Sequence, residues 1–126
     1  MSNTKNNPVT VLIVEDSMLI ANAVKIVLKN NGIEAKITDE GQTVVDIVKK
    51  DNIKLVILDL MMPGFSGVDV FKELKKDNAT RDVKIMILSA KTDAIKWNPE
   101  LKDAEKFMNK PFDNDELAKE VKKLVK

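Results

Sequence analysis

The stretch Lys54-Leu55-Val56-Ile57-Leu58-Asp59-Leu60-Met61-Met62-Pro63-Gly64-Phe65-Ser66-Gly67 decides how the rest of the chain is read. Leu55 to Leu58 is an unbroken apolar run, the pattern of a strand buried on both faces of a parallel sheet. Asp59 ends it. Pro63 removes a backbone donor, and Gly64 and Gly67 accept backbone angles that other residues resist, so the chain is expected to turn directly after Asp59. A carboxylate at the carboxyl end of a central strand stands where open α/β sheets place their ligands. Asp59 is therefore the candidate reacting group.

Working outward, Val9 to Val14 is a second apolar run, broken only by Thr10, and it stops at Glu15-Asp16-Ser17. A helix follows, with Leu19, Ile20, Ala23, Val24, Val27 and Leu28 at helical spacing and Asn31-Gly32 at its end. Glu34 to Thr38 alternates as a short strand. Gly41 opens a second helix, buried through Val44, Val45, Ile47 and Val48 and closed by Asp51-Asn52. Beyond Gly67 a third helix carries Val68, Phe71 and Leu74, then fades into the polar segment Lys75 to Asp82. Val83 to Leu88 is a fourth strand, ending on Ser89-Ala90-Lys91. From Thr92 to Asp103 the pattern is irregular: a helix beginning near Thr92-Asp93 can only be short, and Pro99 suits the first turn of another. Lys106 to Asn109 is a fifth strand, ended by Lys110-Pro111-Phe112. Asp113 or Asn114 can cap the last helix, whose Leu117, Val121, Leu124 and Val125 face inward.

Strand and helix alternate five times, and crossovers between parallel neighbours are right-handed. The pattern predicts an α/β, flavodoxin-like, doubly wound five-stranded parallel sheet in the order 2-1-3-4-5, with five helices, the fourth short or irregular. The order reverses between strands one and three, which brings Glu15-Asp16 beside Asp59. A chain of 126 residues with 44% apolar content fits one domain, expected over 9–126 after a flexible segment over 1–8.

Composition removes several kinds of chemistry. There is neither cysteine nor histidine, which excludes disulfides, thiolate nucleophiles, serine-histidine triads and imidazole zinc sites. The 21 basic and 20 acidic residues leave a net charge of +1, without the excess of a dedicated nucleic-acid binder, so no direct nucleic-acid contact is expected. No signal peptide or long apolar span is present in the sequence, and a cytoplasmic protein without membrane insertion is expected.

Three carboxylates at adjoining strand ends raise one another's proton affinity unless a positive charge intervenes. An oxygen-seeking divalent cation such as Mg2+ answers that need. The plainer alternatives are a helix N-cap for Asp16 and a solvated strand end for Glu15. Ser89 and Lys110 bring a hydroxyl and an ammonium to the same edge, although a serine there is often a turn residue and a lysine before proline simply exposed. Taken together they describe a site for one phosphoryl group. The Asp59 carboxylate attacks, Lys110 and Ser89 each take an oxygen, and the small Ala90 leaves its backbone N–H approachable.

The acidic pair at 15–16, Asp-Leu-Met-Met-Pro-Gly from Asp59, Ser89-Ala90, and Phe107-Met108-Asn109-Lys110-Pro111-Phe112 together resemble the receiver domain of bacterial two-component response regulators, of the chemotaxis-regulator kind. The resemblance runs from about Val9 to the C-terminus. It implies that Asp59 accepts a phosphoryl group from a sensor histidine kinase or phosphotransfer protein. It implies a Mg2+ site made by Asp16, Asp59 and the Met61 carbonyl, with Glu15 assisting through water. It makes Ser89 and Phe107 a switch pair and gives a downstream protein target helix four, strand five and helix five to read. Phosphorylation adds up to about two negative charges and three acceptor oxygens, which draw Ser89 inward and vacate space for Phe107. The alternative for Phe107 is an ordinary strand aromatic.

With no output domain after the last helix, the expectation is a receiver alone, signalling by protein contact and turning over no external substrate. The competing reading is a receiver-like interaction module that acts without phosphorylation. A flavin-binding flavodoxin would want hydroxyls where Glu15-Asp16 stand, and a phosphatase with paired aspartates would want a second one at Met61. Some positions depart from the family pattern. The segment from Ser89 to Lys110 is short, Asp103 stands where glycine is common, and Trp97 suits either a local core plug or an exposed anchor. Met61 cannot hydrogen-bond an attacking water and Lys91 could cover the phosphoryl group, so slow self-dephosphorylation is expected. Met18 and Ala21, read as the exposed side of the first helix, are candidates for kinase docking; the alternative is a pair of exposed apolar residues without a role.

Overall fold

The computed structural model describes residues 8–62, 65–90 and 98–126, with the backbone alone at positions 62 and 65. The expected flexible segment therefore lies outside the described residues apart from Pro8. So do the Pro63-Gly64 turn, Lys91, the helix start at Thr92-Asp93, and Trp97.

Five strands, β1 (Val9–Val14), β2 (Glu34–Thr38), β3 (Leu55–Leu58), β4 (Lys84–Ser89) and β5 (Lys106–Asn109), form one parallel sheet in the order β2-β1-β3-β4-β5. This is the expected doubly wound order. Among the described residues there are four α-helices rather than five: α1 (Met18–Lys29), α2 (Val44–Asp51), α3 (Gly67–Lys76) and α4 (Asn114–Leu124). The C-terminal helix, fifth by sequence order, is thus α4. Between β4 and β5 the described residues hold a 3-10 helix, Pro99–Asp103, with proline in its first turn where a missing N–H costs nothing.

Successive strand residues point to opposite faces, so the apolar runs feed two core layers at once. Leu12, Val14, Val56, Leu58, Ile85 and Ile87 meet α2 and α3 through Val44, Val48, Phe71 and Leu74. Val11, Ile13, Leu55, Ile57, Met86 and Leu88 meet α1 and α4 through Ala21, Val24, Leu28, Leu117 and Val121. The helix α1 is rotated from its expected stripe. Ala21, expected on the exposed side, has no exposed surface, whereas Leu19 is 84% exposed. A side chain as small as alanine at the contact lets the helix lie close to the sheet, and packing distance is set by such residues.

The helix ends are chemically specified. Ser17 Oγ accepts from the Ile20 N–H at 3.4 Å, so Ser17 and not Asp16 is the N-cap of α1. Asp113 caps α4 by accepting from the Glu116 N–H at 3.0 Å. Asn52, at φ 54, closes α2 in the left-handed region. Directly after β3, Met61–Met62 pairs antiparallel with Phe65–Ser66 in a short hairpin, and Ser66 Oγ caps α3 by accepting from the Val68 N–H at 3.1 Å.

Candidate functional site

Val14 of β1 and Leu58 of β3 are register partners, so the next residues, Glu15 and Asp59, leave the sheet side by side. The Asp59 N–H donates to the Val14 carbonyl at 3.0 Å and the Glu15 N–H to the Thr38 carbonyl at 3.1 Å, which extends the ladder through both carboxylates. Asp59 Oδ1 accepts from the Met61 N–H at 3.2 Å, an Asx-type turn that starts the hairpin. Glu15 and Asp59 are buried, Asp16 is exposed, and one carboxylate oxygen from each lies within 4.8 Å of the others.

Lys110 arrives from the far edge of the sheet. Its N–H donates to the Ser89 carbonyl at 3.0 Å, tying the end of β5 to the end of β4, and its bond to Pro111 is cis. The ammonium then reaches back to Glu15 Oε1 at 2.5 Å and to Asp59 Oδ2 at 3.4 Å. Ser89 is buried at the end of β4 and Ala90 after it is exposed. Phe107, opposite Ile87, is half-buried against the core layer under α2 and α3. The sheet thus carries Glu15, Asp16, Asp59, Ser89, Ala90 and Lys110 to one end, as expected. The primary partner of Lys110, however, is Glu15, a pairing across 95 residues that no local pattern announces.

Among the described residues, the electrostatics are those of an acidic pocket facing the Lys110 ammonium. The Glu15 carboxyl is raised from 4.5 to about 7, chiefly by burial, then by the Asp59 carboxylate that can share its proton, with Lys110 pulling the other way. Glu15 Oε2 is buried without a hydrogen-bond partner among the described residues. Three hard oxygen donors, one of them unsatisfied, fit a divalent cation of the Mg2+ type. At the rim, Met61 is 56% exposed. Among the described residues no helix is long and apolar enough to cross a membrane.

A doubly wound α/β domain here gathers a buried aspartate, two further acidic residues and a lysine at its switch point, the place where open α/β sheets hold their ligands. The response regulator receiver domain family matches residues 11–122, and the chain belongs to that family. As a receiver domain it is a signalling module. It is 34% identical over 113 residues to the DNA-binding response regulator MtrA of Mycobacterium tuberculosis, covering 89% of this chain and 48% of that protein. It is 33% identical over 117 residues to the cell cycle transcriptional regulator CtrA of Caulobacter vibrioides, covering 92% of this chain and 50% of that one. The chain therefore spans about half the length of the curated relatives it matches. Among solved structures, response regulator TrrA of Thermotoga maritima, in complex with Mg2+ and BeF, superimposes with a TM-score of 0.81 at 32% identity, over 93% of this chain and 99% of that one.

Proposed function

We propose that residues 9–126 act as a phosphorylation-controlled switch in the cytoplasm, with Asp59 taking a phosphoryl group from a sensor histidine kinase or phosphotransfer protein. One observation carries this reading. The Asp59 carboxylate is held by the Met61 N–H on one oxygen, faces the Lys110 ammonium at 3.4 Å with the other, and has two more carboxylates within 4.8 Å. A carboxylate oxygen of Asp59 bonds to phosphorus as the donor's bond to phosphorus breaks, leaving an acyl phosphate. Lys110, the Ser89 hydroxyl and the Ala90 N–H each hold a phosphoryl oxygen.

Glu15, Asp16, Asp59 and the Met61 carbonyl would hold Mg2+, which when bound offsets charge between the carboxylate and the phosphoryl oxygens. The Mg2+ and BeF in the TrrA complex support that assignment by analogy. Ser89 then turns toward the acyl phosphate and Phe107 follows it. The surface that changes, and that a downstream protein reads, is the 3-10 segment, β5 and α4. Kinase docking falls to the exposed side of α1 formed by Met18, Leu19, Ala23 and Ile26, with Ala21 beneath them in the core.

Mass spectrometry after incubation with acetyl phosphate and Mg2+ tests the assignment. The wild type gains one phosphoryl mass and Asp59→Asn gains none. A wild-type chain that stays unmodified would leave a receiver-like interaction module working without phosphate.

A further inference from the structure

Lys110 has two anionic neighbours, and it is not shared evenly between them. Its ammonium is 2.5 Å from Glu15 Oε1 and 3.4 Å from Asp59 Oδ2, with the side chains of all three almost out of water. The shorter contact is a hydrogen bond, and the longer lies beyond the ordinary hydrogen-bond range. The second oxygen of Glu15, Oε2, is buried and has no partner among the described residues. Glu15 thus commits one oxygen to Lys110 and leaves the other without a partner, and one of its two oxygens lies within 4.8 Å of a carboxylate oxygen of Asp16 and of Asp59. The extra methylene of glutamate makes this possible, because an aspartate at the same place would stop on the order of 1 Å short of the ammonium.

We propose that Glu15 is a positioning residue: in the cation-free pocket it holds Lys110 off the acceptor, and it surrenders Lys110 to Asp59 and the phosphoryl oxygens when it turns to a divalent cation. The inference rests on the proposed function and adds a second origin for its cation requirement, the delivery of the ammonium. Coupling of this kind is reciprocal, so a phosphoryl group that engages Lys110 tightens cation binding in return.

The test follows the Lys110 side chain itself. In the full chain labelled with 15N-lysine, the Lys110 Nζ resonance, assigned with Lys110→Arg, is recorded while Mg2+ is added without any phosphoryl donor. The amides of Asp16 and Asp59 report cation binding separately. In the wild type the Nζ resonance moves with the same half-saturation as the Asp16 amide. In Glu15→Gln, which keeps the side-chain length and removes the charge, Lys110 already stands near Asp59. Its resonance then begins near the wild-type end point and stays there even at the higher Mg2+ concentration that the loss of one ligand requires before the Asp16 amide moves. Two outcomes overturn the proposal and leave the proposed function standing: a Lys110 resonance that stays fixed while the amides shift, or one that shifts equally in Glu15→Gln through the cation's field alone. Amides that ignore Mg2+ altogether would remove both readings.

Discussion

Gly67 and the main chain of Asp59 occupy adjoining space with no room for a side chain between them: a methyl on Gly67 would lie 2.1 Å from the Asp59 carbonyl oxygen and 2.6 Å from Leu60 Cα. Gly67 is the first residue of α3, and its N–H donates to the Leu60 carbonyl at 3.1 Å. The glycine is required by this contact rather than by the unusual backbone angle expected of it, and it holds α3 against the segment that carries Asp59.

Gly67→Ala therefore pushes backbone against backbone, where no rotamer change can relieve the clash. Overpacking of this kind costs about 1–3 kcal/mol. The urea midpoint should fall accordingly, and phosphorylation of Asp59 by acetyl phosphate should slow even where the variant remains folded. Unchanged stability and unchanged labelling would show that the contact is looser than the structure has it.

The raised Glu15 carboxyl gives the cation-free protein a pH dependence of definite sign. Between its ordinary value of 4.5 and its folded value of about 7, the folded state holds a proton that the unfolded state has lost. Stability consequently falls as pH rises through that window, and is flat above it, by on the order of 1–3 kcal/mol. Urea unfolding in a chelator at pH 5 and pH 8 measures the drop. Glu15→Gln should flatten it, and Mg2+, which favours the ionised carboxylate, should oppose it.

Met61 stands half-exposed beside Asp59 with a thioether that cannot orient an attacking water. Met61→Asn supplies a hydrogen bond of roughly 1 kcal/mol, which is about a fivefold faster loss of phosphate. Decay of the acyl phosphate, followed by mass spectrometry after the donor is removed, gives the rate. Equal rates for the two proteins would mean that some other group governs the water.

Thr80 is 1% exposed and its hydroxyl donates to the Leu74 carbonyl at 2.7 Å, satisfying an acceptor in the last turn of α3. Thr80→Val keeps the shape and strands that carbonyl, a loss of about 1–3 kcal/mol in chemical denaturation. Thr80→Ser, which keeps the donor, should recover most of it.

The parts of this molecule that could be read from its sequence are those governed by local pattern. Leu55–Leu58, Glu34–Thr38 and Lys106–Asn109 are strands with the expected limits, because each is a run of one periodicity bounded by turn residues. The carboxylates were legible for the same reason, since the end of a strand is also the edge of a parallel sheet. The phase of α1 was legible only in part. Val24 and Leu28 face inward as expected, but Leu19 and Ala23 look as apolar as Ala21, and only packing on the sheet puts Ala21 inside and the other two outside. Contacts that span the chain were equally hidden. Glu105 accepts from the Ile85 N–H at 2.7 Å across 20 residues, and Lys110 meets Glu15 from the opposite end of the sequence. Neither has a signature within any window short enough to scan.

Strand β3, with a neighbour on each side, cannot slide without breaking two ladders, whereas β5 at the margin has only one to break. Position 59 is therefore anchored where the molecule yields least, and the border that carries Phe107 is held by one ladder alone. Hydrogen exchange should show this as slow amides along Leu55–Leu58 and faster ones along Lys106–Asn109.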